Sequence, residues 1–99
     1  MVNLAIIGAG IGGCSAAYFA HKILADSKVT VYEMEDRISG RVFTFNIGKM
    51  KSEIGAAFFH PINKTVRSLV KELNLNVEKL EEHMDIAVYD GTEFVFRSS

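Results

Sequence analysis

The chain has 99 residues, 48% of them hydrophobic and 23% charged, with a formal net charge of -1. Those proportions exclude intrinsic disorder and leave no basic footprint for nucleic acid or an anionic membrane surface. A chain of this length fits one small domain, which buries roughly two thirds of the surface its unfolded form exposes. The lone Cys14 excludes an internal disulfide, and no Cys/His cluster has metal-ligand spacing. No apolar run approaches the ~18 residues of a spanning helix. A strand-like run follows Met1 directly, without a basic and then cleavable apolar segment, so the chain as it stands is expected not to be secreted.

Residues 2–7, VNLAII, form a nearly continuous apolar run that stops at glycine, the pattern of a parallel strand buried on both faces. From Ile11 to about Leu24 the apolar positions Ile11, Ala16, Ala17, Phe19, Ala20, Ile23 and Leu24 recur at helical spacing, and Asp26-Ser27 breaks the pattern. KVTVYE, residues 28–33, is β-branched and aromatic, with Val29 and Val31 on one face, and predicts a second strand. Together these make a β-α-β unit whose crossover is right-handed and whose strands are parallel. A charged stretch, YEMEDRISGR at 32–41, leads into RVFTFNIGKMKSEIG, which alternates around Gly48-Lys49 and predicts a hairpin leaving the main sheet. In PINKTVRSLVKELNL the residues Ile62, Val66, Leu69, Val70 and Leu73 share one stripe of a helix ending near Asn74 to Asn76. Pro61 suits its first turn, where a missing N–H would have had no partner. IAVYDGTEFVFR joins two strand-like runs through Asp90-Gly91, a strong hairpin signal. There is no internal repeat, linker or low-complexity segment, and the stop at Ser98-Ser99 directly after a strand fits an incomplete domain.

The sequence IIGAGIGGCSAA places Gly8, Gly10 and Gly13 in a G-x-G-x-x-G pattern between a strand and a helix. Gly8 permits the tight turn, Gly10 lets a pyrophosphate approach the backbone, and Gly13 lets the helix pack against the strands. Gly8, Ala9, Gly10, Ile11, Gly12 and Gly13 are therefore the candidate cofactor-binding residues of this loop, with the exposed amides at the helix start meeting the phosphates, aided by the helix dipole. Glu33 follows Gly13 by twenty positions, at the end of the second strand. An acid there accepts hydrogen bonds from ribose hydroxyls and disfavours a 2′-phosphate, which argues against NADP. The fingerprint alone leaves NAD and FAD open.

Beyond Glu33 come five residues and then Ser39-Gly40-Arg41. This resembles the E-x5-GGR signature of FAD-dependent amine-oxidase-like flavoproteins, in which the arginine contacts the FAD phosphates with its planar fork. The resemblance favours FAD and assigns Gly40 and Arg41 to the cofactor, with the intervening charges mostly facing water. Ser39 departs from the signature, standing where its first glycine belongs; a left-handed backbone at that position would cost serine roughly 1–2 kcal/mol. SEIGAAFFHPINKTVRSLVKELNLNV, an acid, a small-residue turn, His-Pro-x-Asn and an amphipathic helix, resembles the prenylcysteine oxidase branch, which includes the farnesylcysteine lyases. By that resemblance Gly55, Ala56 and Ala57 lie near the flavin ring. Ala56 stands where relatives commonly have a second glycine.

The fold class read from these features is α/β, a Rossmann-type FAD-binding β-α-β unit with an inserted β-hairpin, an amphipathic helix and a C-terminal β-hairpin. Residues 1–99 are then the N-terminal part of a FAD/NAD(P)-binding Rossmann domain. The resemblance implies oxidation of the thioether of farnesyl- or geranylgeranyl-cysteine at the prenyl carbon, addition of water there, and release of cysteine, a prenyl aldehyde and, through reduction of dioxygen, hydrogen peroxide. It also implies a lysosomal or endomembrane lumen, with which the sequon Asn63-Lys64-Thr65 is consistent. No catalytic side chain is identified: His60 is read as packing or capping at a helix entrance, Cys14 as packing, and His21, His83 and Met84 carry no assigned chemistry. Substrate-facing groups are expected outside these residues, so the chain alone is not expected to turn over substrate. The alternatives are a flavin amine oxidase or desaturase, and a non-enzymatic relative of the Rab escort proteins and GDP-dissociation inhibitors.

Overall fold

Parallel strands cannot be joined by a tight turn, and here a helix makes the crossover. The computed structural model describes residues 1–80 and 86–97, so His83, Met84 and Ser98-Ser99 lie outside the described residues. Contacts divide the chain into two units, Met1–His60 and Pro61–Ser99. In the first, β1 (Val2–Ile7) pairs in parallel with β2 (Ser27–Tyr32), from Val2 opposite Ser27 to Ile7 opposite Tyr32, and α1 (Ile11–Ile23) connects them. Leu4 and Ile6 are half-buried while Ala5 and Ile7 are exposed, so α1 covers one face only. This differs from the expectation that β1 is buried on both faces: within this unit α1 is the one helix on the sheet, and Ile7 is exposed. Ala9, 3% exposed, is the one buried residue among those described.

The predicted hairpin forms a separate antiparallel sheet, β3 (Thr44–Ile47) and β4 (Met50–Glu53), with Ile47 opposite Met50. Gly48 has φ +60 while Lys49 keeps a negative φ, the pattern of a type II′ turn, whose twist matches that of the strands it joins. Pairing continues beyond the strands: the Ile54 N–H donates to Phe43 O at 2.8 Å and the Ala56 N–H to Arg41 O at 3.1 Å. The hairpin thereby holds 54–56 beside 41–43, which matters for the site.

In the second unit, α2 (Lys64–Glu72) starts at the N-cap Asn63 and presents the half-buried Leu69 and Val70 on its apolar stripe. Pro61 is not in its first turn, as expected from the sequence, but two residues before the cap, where its carbonyl accepts a hydrogen bond from Arg67 at 3.2 Å. The helix ends in a Schellman motif: Asn74 has φ +53, its N–H donates to Lys71 O at 3.1 Å, and the Leu75 N–H donates to Val70 O at 3.0 Å. A second hairpin joins β5 (Ala87–Tyr89) to β6 (Phe94–Arg97). Its loop runs from Asp90 to Glu93, longer than a two-residue turn, because the Asp90 carboxylate accepts from the Thr92 N–H at 2.8 Å and the Glu93 N–H at 2.9 Å. Those two bonds hold the Asp90 carboxyl below the usual carboxylate range. Among the described residues no helix is long and apolar enough to cross a membrane.

Candidate dinucleotide-binding site

The chain turns sharply at Gly8, φ +96, directly after β1, and the Gly8 N–H donates to Tyr32 O at 2.7 Å, carrying the parallel ladder into the loop. Gly10 caps α1 with extended backbone and offers no side chain to the first-turn amides. Those amides have no intrahelical acceptor, so an anion fits there. A Cβ placed on Gly10 or Gly12 meets nothing within 4 Å, which leaves that side open to a ligand. At Gly13 the reverse holds. An added Cβ would collide with the backbone oxygen of Gly8 and lie 2.9 Å from its carbonyl carbon, so only glycine lets α1 approach the loop. Cys14 Sγ donates to Ala9 O at 3.3 Å from an exposed position.

Two residues of the charged stretch, Glu33 and Ser39, dock on Ala9. Glu33 Oε2 accepts the Ala9 N–H at 2.6 Å, and the Ser39 N–H donates to Ala9 O at 2.7 Å. The Ala9 amide is thus turned towards Glu33, and burial of this residue anchors the connector to the glycine loop. Glu33 Oε1 accepts the Glu35 N–H at 3.3 Å. The Ala9 amide foremost, then that of Glu35, with smaller help from Met34 N–H and the Arg37 guanidinium, holds the Glu33 carboxyl below the usual range and keeps it anionic. Two acceptor oxygens with further lone pairs remain able to bond ribose hydroxyls.

Ser39 does take the left-handed backbone that its departure from glycine put at issue, with φ +88 followed by φ +56 at Gly40. Its hydroxyl donates to Val42 O at 2.6 Å and its carbonyl accepts the Val42 N–H at 3.1 Å, which offsets part of the strain. A Cβ on Gly40 would sit 3.5 Å from the Gly10 Cα, so this turn lies against the glycine loop. Arg41 follows with an exposed side chain that no described residue engages by hydrogen bond or ion pair. Its carbonyl holds Ala56, and Gly55, at φ +141, leaves no room for a Cβ beside Arg41 O. The structure therefore brings together the glycine loop, Glu33, Gly40, Arg41, Gly55 and Ala56, with Ala57 next in the chain. Sequence reasoning missed Arg37, which it left among the water-facing charges: its guanidinium donates to Ile38 O at 3.0 Å and Gly40 O at 2.8 Å and lies 4.2 Å from the Phe43 ring centre. The readable signal was an arginine just before a glycine turn and six positions ahead of an aromatic residue.

A β-α-β unit with this cradle and an acid after its second strand defines a dinucleotide-binding Rossmann unit. Residues 6–73 match the NAD(P)-binding Rossmann-like domain, and the chain belongs to that family. More particularly, it is 36% identical to prenylcysteine oxidase 1 of Bos taurus, over 98% of this chain and 19% of that protein. It is 31% identical to the farnesylcysteine lyase of Arabidopsis thaliana, over 97% of this chain and 21% of that one. The resemblance to this branch read from the sequence thus holds along the whole chain. A solved structure of putrescine oxidase, a triple mutant made to redesign cofactor binding, superposes with a TM-score of 0.78 at 30% identity, covering 99% of this chain and 21% of that one. The chain spans about a fifth of the length of the curated relatives it matches.

Proposed function

We propose that this chain is the opening, cofactor-holding part of the FAD/NAD(P)-binding Rossmann domain of a FAD-dependent prenylcysteine oxidase. The observation that carries the reading is the docking of Glu33 on the Ala9 N–H and of Ser39 on the Ala9 carbonyl, with Gly40 against Gly10, which supports an acid and Arg41 acting at one glycine cradle. The first-turn amides from Gly10 to Gly13 receive the pyrophosphate, Glu33 accepts hydrogen bonds from the adenosine ribose, and Arg41 neutralises phosphate charge. Gly55, Ala56 and Ala57 carry no bulky side chain and let backbone approach the flavin ring. The family description names a nicotinamide dinucleotide; the resemblance of the stretch from Glu33 to Arg41 to the amine-oxidase-like flavoprotein signature, together with the likeness to prenylcysteine oxidases, favours FAD.

When bound, the flavin supplies the oxidant that takes a hydride from the prenyl carbon of the thioether, with dioxygen as the final acceptor. The residues of this chain bind and orient it; none of them is assigned a proton transfer. Groups that hold farnesyl- or geranylgeranyl-cysteine come from outside residues 1–99. A lysosomal or endomembrane lumen belongs to the same proposal and is supported by the exposed sequon residue Asn63. The likeness to putrescine oxidase favours a second reading, a flavin amine oxidase. The test is peroxide release by the FAD-loaded intact protein given farnesylcysteine or putrescine. Peroxide and prenyl aldehyde from farnesylcysteine alone are expected. Peroxide from putrescine alone would replace the first reading with the second, and a protein that binds no flavin would overturn both.

A further inference from the structure

One guanidinium, that of Arg37, bonds the carbonyls on either side of Ser39, those of Ile38 and Gly40. Between them run the two consecutive left-handed residues of the connector, Ser39 and Gly40. Such a backbone is unfavourable for serine and persists only where its surroundings over-determine it. The planar fork can bridge two carbonyls at once, and its stack on Phe43 ties the turn to the residue just before β3. A lysine ammonium, a point donor on a flexible stem, lacks both properties.

We propose that Arg37 is a positioning residue: it locks the Ser39-Gly40 turn against the glycine loop and so fixes where Arg41 leaves the backbone. The ligand consequence rests on the FAD reading; the loop consequence does not. The Ser39 hydroxyl bond to Val42 O and the Arg37 fork together make serine workable where the related signature has glycine. A glycine at position 39 removes the conformational penalty, so the turn then depends less on Arg37.

The experiment follows amide hydrogen exchange at Ser39 and Val42, whose N–H groups bond Ala9 O and Ser39 O, in the intact protein without ligand. Arg37→Ala should speed exchange there about tenfold while the β1–β2 amides keep their protection. Arg37→Lys should recover little of this, and adding Ser39→Gly to Arg37→Ala should recover most. FAD affinity, measured by flavin fluorescence, should weaken by a similar factor in Arg37→Ala and be rescued by the same second change. Unaltered exchange at Ser39 and Val42, or a lysine variant indistinguishable from wild type, would overturn the proposal. Weakened FAD binding with unaltered exchange would also overturn it, since Arg37 would then touch the ligand instead of holding the turn. A wild-type protein that binds no FAD would sink the cofactor reading alone, because exchange still decides the loop claim.

Discussion

Gly13 and Gly12 are neighbours in α1 with opposite surroundings, and alanine at each should move stability in opposite directions. At position 13 the new methyl meets Gly8 backbone oxygen and carbon, which no side-chain rotation can relieve, and stands 3.4 Å from Ile6 Cγ2. The helix must back away from β1, an overpacking cost of about 1–3 kcal/mol. A methyl against unyielding backbone takes the upper part of that range, and alanine's helix preference over glycine returns up to about 1 kcal/mol, which leaves a net loss of about 1–2 kcal/mol. At position 12 the methyl meets nothing within 4 Å. Only the propensity term remains there, a gain of up to about 1 kcal/mol. Denaturant unfolding of the two variants and wild type, without ligand, reads the difference. Gly13→Ala at or above wild-type stability, or both variants shifting the same way, would refute the packing argument.

Two further outcomes concern the connector and its hairpin. Gly55→Ala, at φ +141 and against Arg41 O, should break the Ala56 N–H bond to Arg41, seen as faster exchange at Ala56 and weaker FAD binding; unchanged protection would contradict the geometry. Glu33 has a folded-state pKa below its unfolded one, so its anchoring is present above the unfolded pKa and is lost as pH falls through the folded value. The Ala9 amide proton shift should therefore stay flat through neutral and mildly acidic pH and move only below the ordinary carboxylate range. An inflection within or above that range, or one that survives Glu33→Gln, would show that Glu33 is not the acceptor.

Local patterns made much of this unit legible. Apolar runs, helical spacing and Gly8, Gly10 and Gly13 located β1, α1 and β2 to within a residue or two, because each element's period and its punctuation agree. Gly48 announced its hairpin for the same reason. Other features depend on partners that a linear pattern does not display. The run VNLAII carries the composition of a two-sided burial, yet burial needs a second layer, and this unit supplies one helix. Pro61 is compatible with a first turn and equally with the approach to one, and Asp90 with a tight turn or with a side-chain acceptor. Arg37 sits before a visible glycine turn, but its role went unread because its carbonyl partners are brought within reach only by the left-handed turn at Ser39 and Gly40, which the residue types alone left conditional.

The most direct measurement is an equilibrium FAD titration of the intact protein beside its Arg41→Ala variant, with NADP as competitor. Saturable FAD binding that NADP does not displace, weakened about tenfold or more by removal of the guanidinium, is the result predicted by a site that joins Glu33 and Arg41 at one cradle. Absent FAD binding, or an affinity untouched by Arg41→Ala, would contradict it.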